Sequence, residues 1–327
     1  MTEWRRALVF TVACGLLSIP PALEAQLPTG KAPRIGYLGF SGASPSDEGF
    51  RQGLRELGYV EGQNVAIEYR YADLKPDRAS ALAAELVRLN VDVIVTTAGP
   101  IPALAAKRAT TTIPIVFEAG DVVENGLVSR LDRPGGNLTG IDNFTAALNV
   151  KRLELLKEAL PGVSRVAVLA NRANPWTERR LKELEGAARV LRVKLHVLDT
   201  RKPNDIEVAF AAMAAKRDEA FLLVTDPMFW PQRERIIDLA ATHRLPGIFF
   251  WRQYAEAGGL MSYAPNLAEA RRRLAGYVDK ILKGASPGDL PVEQPTRFEM
   301  VINLKTARAL GITVPPSFLL RVDQVIE

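Results

Sequence analysis

Arg34-Ile35-Gly36-Tyr37-Leu38-Gly39 is a short apolar run, and Arg165-Val166-Ala167-Val168-Leu169-Ala170 repeats it 131 positions later. Both fit a buried strand, and each is followed by apolar residues at helical spacing. After the first run, residues 46–57 carry Phe50, Leu54 and Leu57 on one helical face, with Gly58 placed to stop the helix. Residues 64–71 then alternate like a strand, 77–89 read as a helix, 91–96 as a strand, 100–108 as a helix and 114–117 as a fourth strand. Strands alternating with helices imply βαβ units and a parallel sheet. The same order follows the second run. Leu222-Leu223-Val224-Thr225 answers Ile94-Val95-Thr96-Thr97 at an offset of 128, and residues 246–249 answer 114–117 at an offset of 132. Helices are expected between them at 174–191, 205–215 and 228–242. Three near-equal offsets predict an α/β fold of two similar, doubly wound parallel-sheet lobes; the period is too long for a solenoid.

The lobes are not two consecutive halves. The turn-rich Arg133-Pro134-Gly135-Gly136-Asn137 points to a first lobe ending near residue 143, and a helix at 149–160 opens the second. Past Gly258-Gly259 come a short strand at 260–263, a helix at 267–282, a connector stiffened by Pro287, Pro291 and Pro295, a strand at 298–303 and a helix at 304–310. The expected division is lobe 1 over 33–143 plus 264–290 and lobe 2 over 144–263 plus 291–327. About three crossings then form a multi-strand hinge beneath an inter-lobe cleft, where such folds bind ligands.

Upstream, Arg5 and Arg6 precede an apolar run over 7–19, which Pro20 and Pro21 break before Leu23-Glu24-Ala25. As a helix that run would reach roughly 20 Å, short of the ~30 Å hydrocarbon core. This is the layout of a secretory signal over 1–25, followed by a leader over 26–32, and it predicts a periplasmic protein. Cys14, the single cysteine, lies inside the signal, so no disulfide or thiolate metal site is expected. His196 and His243 are the two histidines, and they lack metal-ligand spacing. Hydrophobic residues make up 47% of the chain and charged residues 24%, which suits a packed core. The net charge of +5 is spread without blocks of like charge, so nucleic acid is not an expected partner. No cofactor is expected, and the protein is read as a monomer.

In open α/β sheets ligands sit at the carboxyl ends of strands, so the loops there hold the candidates. Ser41, Ser44, Thr97 and Gly99 lie at helix starts, whose free N–H groups suit an anion. Asp121 and Asp226 follow apolar strands and can receive an ammonium. Trp230 and Tyr263 belong to an aromatic group, with Phe229, Phe250 and Trp251, able to stack on a flat ligand. Enzyme motifs fail: there is no Walker A pattern, and Gly36-Tyr37-Leu38-Gly39 misspaces a dinucleotide fingerprint. Gly39-Phe40-Ser41-Gly42-Ala43 resembles a nucleophile elbow, but Pro45 delays the helix that an elbow requires at Ser41.

The run Phe249-Phe250-Trp251-Arg252-Gln253-Tyr254-Ala255-Glu256-Ala257-Gly258-Gly259-Leu260-Met261-Ser262-Tyr263 resembles the hinge region of the tryptophan/tyrosine-type ABC transporter substrate-binding proteins. So do the segment from Gly284-Ala285-Ser286-Pro287 to Gln294-Pro295, the later Asn303-Leu304-Lys305-Thr306-Ala307, and the opening Phe50-Arg51-Gln52-Gly53-Leu54. The resemblance implies the type I periplasmic-binding-protein fold, an extracytoplasmic receptor with a small ligand such as an amino acid or related carboxylate, and a membrane permease as partner. By position in the matching loops it implies ligand roles for Ser41, Ser44, Thr97, Asp121, Asn171, Asp226 and Tyr263. The alternatives are a secreted hydrolase using Ser41 and a ligand-binding sensor ectodomain.

Overall fold

The computed structural model describes residues 32–327; the expected signal, Cys14 and most of the leader lie outside the described residues. The first sheet is built from β1 (Arg34–Gly39), β2 (Ala66–Tyr71), β3 (Val93–Thr97), β4 (Ile115–Ala119) and β5 (Leu138–Asp142), with helices α1 (Asp47–Glu56), α2 (Pro76–Arg88) and α3 (Pro100–Ala109) between them. Its order is β2-β1-β3-β4-β5 and every pairing is parallel. This is one of the common doubly wound orders, in which a crevice opens where the winding reverses. Successive residues of a strand point to opposite faces. Ile35, Tyr37, Val93 and Val95 therefore pack under α1, while Leu38, Ile94 and Phe117 pack with Ala79, Ala83 and Leu86 of α2.

The second lobe runs through α4 (Thr145–Ala159), β6 (Arg165–Ala170), α5 (Thr177–Leu191), β7 (Lys194–Asp199), α6 (Asp205–Lys216), β8 (Ala220–Leu223), α7 (Arg233–Thr242), β9 (Gly247–Phe249), α8 (Arg252–Glu256) and β10 (Met261–Pro265). Its sheet contains the same winding, β10-β9-β8-β6-β7. The chain then returns to the first lobe as α9 (Leu267–Leu282), whose Leu274 and Val278 bury in the core beneath β1. It comes back once more as β11 (Phe298–Asn303), α10 (Leu304–Leu310), α11 (Pro316–Leu319) and β12 (Gln324–Ile326). The second sheet is thus not wholly parallel, because β11 runs antiparallel to β10.

Several expectations shift. Ile35 pairs with Val93 and Val166 with Ala220, so the middle repeat lies at an offset of 127, one less than the apolar match suggested. Thr225 and Asp226 consequently answer Ala98 and Gly99. β5 and β7 carry no strong apolar run and were not foreseen; β5 is nonetheless wholly buried. The helix expected over 228–242 breaks at Pro231, leaving a 3-10 turn at Pro227–Phe229 before α7. The crossings also move. β10 continues to Pro265, and Glu293 still bridges Ile141 while Val292 sits in the first lobe's core, so the boundaries at 263 and 290 fall too early.

Candidate ligand-binding cleft

The strand ends of the two lobes face one another across a partly open cavity, the position in which open α/β sheets hold ligands. The first lobe contributes Phe40 and Ser41 after β1, Gly99 and Ile101 at the entry to α3, and Glu118 at the end of β4. The second contributes Asn174, Trp176 and Arg180 at the start of α5, Thr225, Asp226 and Trp230 after β8, and Phe250 and Trp251 after β9. Thr145, Leu148 and Arg152, spaced three and four apart, form the cleft-facing stripe of α4. Asn143 and Pro265 belong to the crossings.

The aromatic wall is rigid. Trp230 and Trp251 meet edge to face at 4.8 Å, Phe250 and Trp251 likewise at 4.9 Å, and the Arg233 guanidinium lies 4.7 Å from the centre of the Trp230 ring. Edge-to-face packing and a cation on a ring face both fix orientation. Tyr254 braces the cluster from behind and donates its hydroxyl hydrogen to the Phe229 carbonyl at 2.9 Å.

Charged groups around the cleft are buried and mostly paired. Arg271 on α9 lies between Asp47, at 2.5 Å, and Glu118, at 3.4 Å. Glu118 also accepts from Asn143 Nδ2 and from the Ala98 N–H. Burial pushes its carboxyl above the ordinary range, against the opposing pull of Arg271. Arg180 uses its whole fork: Nε and Nη2 face Asp121 Oδ2 at 3.4 and 3.3 Å, and Nη1 donates to the Thr225 carbonyl at 3.1 Å. Asp121 belongs to the first lobe and Arg180 to the second, so this pair ties the lobes together. Asp121 Oδ1 also accepts from Ala146 N at 3.0 Å, which caps α4 from the other lobe. That cap explains why α4 begins at Thr145, ahead of the expected 149.

Of the residues singled out in the sequence, Ser41, Gly99, Asp226, Trp230, Phe250 and Trp251 stand on the cleft wall. The others lie behind or beside it. Ser44 sits in the turn before α1, where its Oγ accepts from Ser46 N. Thr97 is buried inside β3. Asp121 is engaged as described, and Asn171 Nδ2 donates to Asp226 Oδ1 at 3.3 Å. Tyr263 stacks on Phe298 within the hinge. Neither histidine lines the cavity: His196 Nδ1 is 2.6 Å from Asp218 and His243 packs on Phe210. Ser41 therefore has no imidazole beside it. Sequence reasoning missed Arg152, Arg180, Glu118 and Trp176. Nothing in the sequence singles out Arg152, since α4 also carries Lys151, Glu154, Lys157 and Glu158; what separates Arg152 from them is its burial.

Residues 41–326 match the family described as ABC transporter substrate binding protein. The tyrosine-binding protein of Clostridioides difficile is 26% identical over 266 residues, covering 81% of this chain and 76% of that protein. A crystal structure of a conserved domain protein from Vibrio cholerae superimposes with a TM-score of 0.83 at 30% identity, covering 90% of this chain and 100% of the other. An ABC domain from Streptococcus pneumonia in complex with L-Trp gives a TM-score of 0.83 at 25% identity, with coverage again 90% and 100%. The chain belongs to the ABC transporter substrate-binding proteins, a family that binds solutes rather than transforming them.

Proposed function

We propose that the protein is the extracytoplasmic receptor of an ABC importer, closing its two lobes around an amino acid with a flat, apolar side chain and delivering it to a membrane permease. One observation carries this reading: a single cavity is walled on both sides by strand-end loops, and Phe40, Trp176, Trp230, Phe250 and Trp251 bring five aromatic rings to its lining. Closure buries a ligand there and gives a bound form that differs in shape from the empty one, which is what a permease needs in order to respond only to loaded receptor. Relatives that hold L-Trp or are named for tyrosine support an aromatic amino acid as cargo. The apolar segment at 7–19, too short to span a bilayer, supports export.

The reading is tested by thermal melts of the purified protein against amino acids, small carboxylates, sugars and nucleosides. A ligand at 100 times its Kd adds about 2.7 kcal/mol. At this size each kcal/mol raises the midpoint by roughly 2–4 °C. A rise with an aromatic amino acid is expected. A flat panel contradicts the receptor reading.

A further inference from the structure

Arg152 is 2% exposed and has no carboxylate within ion-pair distance among the described residues. Its Nε donates to the Tyr263 carbonyl at 2.8 Å, and its Nη1 donates to Asn149 Oδ1 and Thr225 Oγ1, each at 2.9 Å. These bonds fix the plane of the guanidinium and leave both N–H groups of Nη2 without a partner among the described residues. Burial away from any anion lowers the group to about 9, and the nearby Arg180 acts in the same direction. At neutral pH it is still a cation, desolvated and uncompensated. Proteins rarely retain such a charge without an anion to complete it, since burying an unpaired ion is costly. Arg180 does not share this vacancy, because Asp121 and Thr225 occupy all its nitrogens.

Asp226 shows the opposite vacancy on the same wall. It is 4% exposed, and no cation lies within ion-pair distance among the described residues. Neutral donors hold it: Met228 N at 2.9 Å and Asn171 Nδ2 at 3.3 Å on Oδ1, and Asn174 Nδ2 at 2.8 Å on Oδ2. Each carboxylate oxygen accepts about two hydrogen bonds, so Oδ2 retains room for one more donor. Thr225, which bonds Arg152, directly precedes Asp226, and both charged residues line the cleft from the second lobe.

We propose that Arg152 Nη2 takes the α-carboxylate and Asp226 Oδ2 the α-ammonium of the ligand, so that the second lobe alone reads the zwitterionic head group. This assignment rests on the receptor reading and narrows it: both charges are required, and a ligand with only one of them leaves a buried ion exposed to nothing. The aromatic wall then holds the side chain, and Phe40, Ser41 and Gly99 close over it from the first lobe.

Titration calorimetry of the purified protein with L-tryptophan, tryptamine and indole-3-propionate separates the two charges on one ring. L-tryptophan is expected to bind, and each analogue about 100-fold more weakly or worse, since a site left with an unpaired buried group discriminates strongly. In Arg152→Gln the gap between L-tryptophan and tryptamine closes, and in Asp226→Asn the gap between L-tryptophan and indole-3-propionate closes; a purely structural role would leave both ratios unchanged. Tryptamine binding the wild type as well as L-tryptophan overturns the role of Arg152. Indole-3-propionate doing so overturns that of Asp226. If another amino acid gives the larger melt shift, its amine and its deamino acid replace the indole pair, with the same outcomes decisive. A protein that binds a sugar or nucleoside but no amino acid overturns the head-group assignment while the receptor stands. One that binds no solute removes both.

Discussion

Glu118 is the surplus charge of a buried trio. Asp47 already balances Arg271, so the second carboxylate carries a desolvation penalty that its hydrogen bonds only partly offset. A carboxyl raised on folding holds its proton where the unfolded chain has lost it. The folded state therefore loses stability relative to the unfolded one as pH rises from the ordinary Glu value near 4.5 towards the raised one. Glu118→Gln removes this contribution. Denaturant unfolding should show the variant gaining on the wild type as pH increases through that window, and a difference that is flat with pH would contradict the assignment. Candidate residues were legible where they follow a strand: Asp226, Gly99 and Ser41 stand on the cleft because strand ends point there. Arg152 was not, since its position depends on which face of α4 turns to the other lobe, and that face is set by contacts distant in the chain.

Helices α1 and α9 approach most closely at Gly49 and Gly53 of α1. A Cβ on Gly49 would fall well inside contact distance of the Ala268 carbonyl oxygen, and one on Gly53 would strike that of Arg272. The partner atoms are backbone and cannot swing aside. Gly49→Ala should therefore cost about 1–3 kcal/mol, as overpacking does, despite favouring the helix itself. A melt lowered by several degrees supports this, and an unchanged or raised melt shows that the helices separate freely. Regular elements were readable wherever apolar periodicity was strong, as in β1, β6 and α9. β5 escaped because Leu138-Thr139-Gly140-Ile141-Asp142 has only two large apolar residues; its burial comes from β4 on one edge and Glu293 on the other. β7 escaped as an edge strand that alternates and is only half-buried. The start of α4 escaped because its cap, Asp121, comes from the other lobe.

The two lobes are joined by three chain crossings and by the Asp121–Arg180 pair, which lies against the cavity. The repeat, with offsets that hold to within a few residues, made the two-lobed plan visible in the sequence. The points of crossing were less visible, because Pro265 and Glu293 take their places by pairing with strands of distant segments. Asp121 carries a left-handed backbone, φ 56°, and Phe144 at the first crossing does too, φ 51°. Non-glycine residues held there cluster where a structure must switch or clamp. Asp121 is thus held between the lobes by Arg180 and the Ala146 N–H, behind the cavity wall. The central claim is that the lobes close on a small solute in this cavity. Small-angle scattering of the purified protein, without ligand and saturated with the solute that most raises its melt, tests it most directly. The account predicts a smaller radius of gyration in the saturated sample, with the unliganded protein sampling an open form. An unchanged radius with the site filled would contradict it.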